Sequence, residues 1–210
     1  MKYPVILFTT VSLLAVIGCH KTAPITPFSA SDFPLTVGNS WVYHVLHTVN
    51  HSVYNNTETI TISGKQILSA DSILYTVQHS KSNSSVTDIQ YLLTVDDAIV
   101  YNPVSVSSTP LGYMSLKLPF GQANHWINNG TSDTFSVKTF MSSVGLVGSP
   151  MPYNNVYEIQ ISSPPSSSIT HSGSIWLSQG LGIVQYNLDT YDSINILGQI
   201  SSTLISYHLQ

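Results

Sequence analysis

Few side chains in this 210-residue sequence are of the kinds that carry covalent or acid–base chemistry. There is one thiol, Cys19, and there are ten carboxylates, eight histidines and no arginine. His44, His47 and His51 have offsets that would align three imidazoles on a helix, as a metal site needs. Their surroundings alternate as a strand, where residues three apart point to opposite faces, so surface or hairpin histidines are expected and no metal. The neighbouring acids Asp96-Asp97 fall in a turn, where Asp favours local backbone hydrogen bonds. No G-x-S-x-G elbow and no S-x-x-K follows Cys19, despite the many serines. Gly180-Leu181-Gly182 lacks the further glycine and following helix of a dinucleotide site, and reads as a tight hairpin or bulge instead. No cofactor is therefore expected and a non-catalytic protein is favoured. An envelope hydrolase built from scattered acids such as Glu158 is the remaining enzymatic reading, since catalytic groups need meet only in space.

Cys19 is the residue with the most definite chemistry. Lys2 followed by an apolar run from Val5 to Ile17, closing on small Gly18, has the order of an export signal. The run is well short of the roughly 20 residues that span a bilayer. Val16-Ile17-Gly18-Cys19 resembles the lipobox of bacterial lipoproteins, although the first place is usually Leu. The resemblance implies a signal peptide over 1–18, cleavage before Cys19, and a thioether lipid with further acylation by chains such as palmitate. Several acyl chains on one residue exceed the roughly two signals that stable anchoring needs. The alternative is an ordinary secretory signal ending near a chance cysteine. With a single cysteine, no internal disulfide can form.

Charged residues make up 8% of the chain, against roughly 25% in ordinary globular proteins. Such a surface has no basic footprint and excludes nucleic acid as a partner, along with peripheral binding to anionic headgroups. It must be built from Ser, Thr, Asn, Gln and Tyr, which suit exposed strand faces. Residues 19–32 carry Pro24 and Pro27 without hydrophobic periodicity and read as a flexible tether. By resemblance to lipoprotein sorting rules, His20 in place of Asp and the absence of acids over 20–31 imply an outer membrane and an anchor facing the periplasm.

From Phe33 to residue 210 the chain repeats one rhythm, a β-rich run and then a polar break. The runs are Trp41 to Leu46, Thr57 to Ser63, Ser72 to His79, Thr87 to Val95, Ile99 to Asn102 and Tyr113 to Leu118. Then come Thr134 to Met141, Val156 to Ser162, Ile169 to Leu177, Gly182 to Leu188 and Ile200 to His208. Without a sustained 3.6-residue period after the signal, about eleven antiparallel strands in a single all-β domain are expected. They would form a curved sheet or open half-barrel, with a β-sandwich as the alternative.

Three segments carry a more particular resemblance. They are Phe33-Pro34-Leu35 with Gly38-Asn39-Ser40-Trp41 and Tyr43, then Tyr153-Asn154-Asn155-Val156-Tyr157-Glu158, then Trp176 through Tyr186. This pattern is similar to uncharacterised envelope lipoproteins of Bacteroidetes, which often have Lys where this chain has Gln185. Their fold resembles the Lol-type lipoprotein carriers, an open half-barrel of strands around an apolar interior. The resemblance implies an apolar ligand or an envelope protein as partner. The Lol carriers cover the cavity with helical segments, and no amphipathic helix is legible here. A glycan is the other partner considered, bound by exposed aromatics. Trp41 and Trp176 lie in alternating strands and are expected in the core, whereas Trp126, beside Gly121 and Asn128-Asn129, reads as a loop residue able to contact a ligand or glycan. Asp71-Ser72-Ile73 and Asp192-Ser193-Ile194 resemble the O-glycosylation acceptor of Bacteroidetes, which implies modification at Ser72 and Ser193.

Overall fold

The computed structural model describes residues 25–49, 51–96, 98–102, 114–128, 131–164, 167, 169–192 and 195–210. These form twelve strands: β1 Ser40–Val49, β2 Ser52–Ser69, β3 Ser72–Lys81, β4 Thr87–Val95, β5 Ala98–Tyr101 and β6 Met114–Lys117. The remainder are β7 His125–Ile127, β8 Thr134–Gly145, β9 Pro152–Ser162, β10 Ile169–Ser178, β11 Gly182–Asp192 and β12 Asn195–His208. Among the described residues the only helical element is a 3-10 turn, Ala30–Asp32. Each of the eleven expected runs lies within or overlaps a strand. The twelfth, β7, has three residues, too few to show a period.

All twelve strands belong to one antiparallel sheet, in the order β6-β5-β4-β3-β2-β1-β12-β11-β10-β9-β8-β7. Every neighbour is consecutive in sequence except β1 and β12, which pair along most of their lengths. The sheet is therefore an up-and-down barrel, nearly closed and left open at one seam, between β6 and β7. A single sheet replaces the two of a sandwich. Strand alternation sets its lining: Trp41, Tyr43 and Val45 of β1 are buried while Val42 and His44 between them are not. Bulges at Ile62/Gly64 and Ile67/Ser69 bend the long β2. The β10–β11 hairpin turns through Gly180 and Gly182, with φ of 76° and 81°, as their glycines led one to expect. At Gly182 a side chain would also press on the Phe33 ring, at 3.3 Å.

The seam is closed by aromatic side chains instead of a ladder. The Trp126 indole on β7 donates from Nε1 to the Ser115 carbonyl on β6, at 2.8 Å. Its ring lies between Phe120 and Phe135, with centroids 5.6 and 5.5 Å away. Phe120 in turn stacks on Phe28, 5.1 Å apart and 4° from parallel. Tyr157 of β9 meets Phe120 edge-on at 5.4 Å, the geometry ring quadrupoles prefer.

Phe28 corrects the expected tether. It is fully buried and exchanges two backbone hydrogen bonds with Phe120, of 2.8 and 3.0 Å. The Tyr157 hydroxyl donates to the Thr26 carbonyl at 2.6 Å, and the Gly180 N–H to the Asp32 carbonyl at 2.9 Å. Residues 26–32 are thus part of the domain and help to seal its seam. Burying Phe28 contributes about 1.5–3 kcal/mol, and the hydrogen bonds of Phe28, Thr26 and Asp32 together with the buried Phe33 ring add to what holds the segment in place.

Candidate functional site

The barrel interior is packed on the β7–β12 side and contains a cavity of about 100 Å³ on the other. Phe33 and Leu35 from the N-terminal segment and Leu181 and Ile183 from the β10–β11 hairpin form one end of it. Ile60 and Ile62 of β2, Val77 of β3 and Leu92 of β4 form the wall. Two aromatic residues of β1 complete it, and both have their polar ends satisfied elsewhere. Trp41 Nε1 donates to the Leu181 carbonyl at 2.9 Å and the Tyr43 hydroxyl to the Ile183 carbonyl at 2.7 Å. Burial, with smaller contributions from the neighbouring Tyr101 and Tyr186, pushes the Tyr43 hydroxyl well above the usual tyrosine range.

Further polar residues line the same cavity: His79 on β3, Gln90 and the more exposed Tyr91 on β4, and Tyr101 on β5. His79 Nδ1 lies 2.9 Å from Glu58 Oε1, and both side chains are 14% exposed. Burial also raises the Tyr101 hydroxyl far above its ordinary value, so it stays protonated at any neutral pH.

A second polar cluster lies across the barrel. Asp133 is buried and accepts hydrogen bonds from the Ser163 hydroxyl and, at 2.5 Å, from Thr131; its Oδ2 is 3.1 Å from His171 Nδ1. The His171 backbone N–H donates to Ser163 Oγ at 2.6 Å. Serine, aspartate and histidine are together, but the carboxylate sits between the other two. In a nucleophilic triad the imidazole must touch the hydroxyl and the carboxylate must orient the imidazole. Here the arrangement ties the start of β8 to β9 and β10, beside a void of about 30 Å³, large enough to admit water.

The residues singled out in the sequence are dispersed. Val16, Ile17, Gly18, Cys19 and Ser193 lie outside the described residues. Trp126 corrects its expected place: it is in β7, not a loop, and only 8% exposed, so neither ring face is available to stack on a sugar. Trp41 is buried as expected, and Trp176 is partly buried. Ser72 is the first residue of β3, directly after the β2–β3 turn. His44 bonds Asn55 through Nε2 at 2.8 Å, His47 lies near the Tyr54 ring, and His51 has φ of 65° in the β1–β2 turn. Among the described residues no three His, Cys, Asp or Glu side chains are grouped as a metal would require. Glu158 accepts from Ser174 Oγ at 3.4 Å, at the upper end of hydrogen-bond length.

Glu58, His79, Gln90 and Tyr101 were not anticipated. Their only sequence signal is a polar or amphipathic residue at an inward position of an apolar strand face, and that can be seen only once register is known.

This geometry defines a class: a single-sheet, up-and-down barrel open at one seam, with a small apolar cavity and a polar row on its wall. No protein-family model matches the chain, and no curated protein sequence does. Among solved structures it is similar to one described as "a putative lipoprotein from Parabacteroides distasonis", at 15% identity and a TM-score of 0.46. The likeness covers 86% of this chain and 99% of the other.

Proposed function

We propose that this chain is a non-catalytic cell-envelope lipoprotein, anchored by lipid on Cys19, whose barrel holds a small apolar group in the cavity between β1–β5 and the β10–β11 hairpin. The observation that carries the binding role is the cavity itself, about 100 Å³ of largely apolar-walled space between β1–β5 and the β10–β11 hairpin. Its size decides what can enter. Pockets for drug-sized ligands measure about 300–1,000 Å³. A dry cavity of about 150 Å³ suffices for benzene. A whole acyl chain or a large dye therefore does not fit, whereas a ring or a short branched group does, with an edge at the opening. This separates the proposed role from bulk lipid carriage.

Two measurements test the proposal. Metabolic palmitate labelling should mark the wild type and leave Cys19→Ser unlabelled; equal labelling rejects the anchor. Calorimetric titration of the full chain bearing Cys19→Ser, which removes the acyl acceptor, should detect benzene. A Val77→Phe variant should abolish that binding by filling the space. Absence of benzene binding to the unfilled barrel rejects the binding role.

A further inference from the structure

We infer that the cavity selects an uncharged, hydroxyl-bearing ring of phenol size, recognised by Tyr101, Gln90 and His79. The inference rests on the binding role proposed above and adds to it the polarity of the ligand. Val77 pairs with Gln90 across β3 and β4, and Leu92 with Tyr101 across β4 and β5. His79 is two residues from Val77 along β3, and Leu92, the partner of Tyr101, is two residues from Gln90 along β4, so the three form one diagonal on the inner face. Diagonal neighbours on a sheet are about 7–8 Å apart, within reach of a single polar atom held between long side chains.

The cavity's polar groups differ in what they are free to do. Trp41 and Tyr43 spend their donors on backbone carbonyls. The Tyr101 hydroxyl and the Gln90 amide make no hydrogen bond among the described residues, nor does His79 through Nε2. None of these atoms is among the buried side-chain atoms without a partner, so each is open to the cavity, where water or a ligand hydroxyl can complete it. When the imidazole is neutral, Nδ1–H donates to the Glu58 carboxylate and Nε2 is the acceptor that faces the cavity. A hydroxyl fits this set: it donates to Nε2 and accepts from the Gln90 amide or the Tyr101 hydroxyl. A carboxylate does not, because it brings no donor and places a second negative charge near Glu58. The apolar ring then occupies the space against Ile60, Ile62 and Leu92.

The test is calorimetry on the full chain bearing Cys19→Ser, with phenol, benzene and benzoate as probes. Phenol should bind about tenfold more tightly than benzene, and benzoate should not bind measurably. Tyr101→Phe with Gln90→Leu keeps the shape of the wall; it should narrow the phenol preference, and adding His79→Phe should bring phenol down to the benzene affinity while benzene itself still binds, which shows the barrel intact. Equal affinity for phenol and benzene in the wild type overturns the inference and leaves the apolar binding role standing. Benzoate binding as tightly as phenol overturns it, as does a phenol preference that survives the double substitution combined with His79→Phe. Failure of both benzene and phenol to bind removes the two readings together.

Discussion

The two halves of the barrel, β1–β6 and β7–β12, are six-strand meanders of the same topology, joined at β1 and β12, yet the aromatic column lies in one and the larger void in the other. In the second half Tyr153, Val156, Tyr157, Ile159 and Leu177 are at most 1% exposed, and the column Phe28, Phe120, Trp126, Phe135 runs along the seam. In the first half the inner face carries Glu58, His79, Gln90 and Tyr101 around open space. Closure thus needs only one half to be dense. The dense half, with the segment at 26–32, closes the seam while still holding the buried Asp133 cluster, and the larger void lies in the other half.

The largest expected effect comes from the column. Phe120→Ala should cost about 3–5 kcal/mol in urea unfolding, since it removes a fully buried ring that touches Phe28, Trp126 and Tyr157. Ile60→Ala, beside an existing cavity, should cost about 2 kcal/mol or less, because fewer neighbours lose contacts. Equal costs would break the comparison.

Next comes pH. The hydroxyls of Tyr43 and Tyr101 are raised chiefly by burial. Below about pH 10 both folded and unfolded chains keep these protons, so stability is unaffected. Above it the unfolded chain loses protons that the folded chain retains, and stability falls by about 1.4 kcal/mol per pH unit for each such tyrosine. Tyr153 and Tyr157 in the dense half are also raised, again mainly by burial. Tyr43→Phe with Tyr101→Phe should flatten the alkaline loss more than Tyr153→Phe with Tyr157→Phe. Chemical unfolding between pH 9 and 11 reads the difference, and the reverse order would assign the burial to the wrong half. The smallest effect should be that of Trp126→Phe, about 1 kcal/mol in the same assay, from the lost bond to Ser115 across the seam. No measurable loss would mean that stacking alone closes the barrel.

The strands were legible because alternation is local: Trp41, Tyr43 and Val45 announce their face without help from the rest of the chain. What was not legible depends on partners far away in sequence. Phe28 looked like part of a linker between prolines because its burial comes from Phe120, and Trp126 looked like a loop residue because β7 is only three residues long. The pairing of β1 with β12, and with it the barrel, leaves no local trace. The polar diagonal was hidden for a related reason, since Gln90 and Tyr101 are unremarkable until the register of β3, β4 and β5 places them on one face.

The bond from Tyr157 to Thr26 also has a mechanical meaning. With Cys19 acylated as proposed, the free leash between lipid and domain runs only from residue 19 to residue 26, a reach of roughly 25 Å even when fully extended. Such an anchor would confine the barrel to a thin layer above the bilayer, with the residues that hold Thr26, Tyr157 and Gln179, on the side toward the membrane. Small apolar molecules that partition into lipid and leave it would then meet the barrel within the reach of that segment.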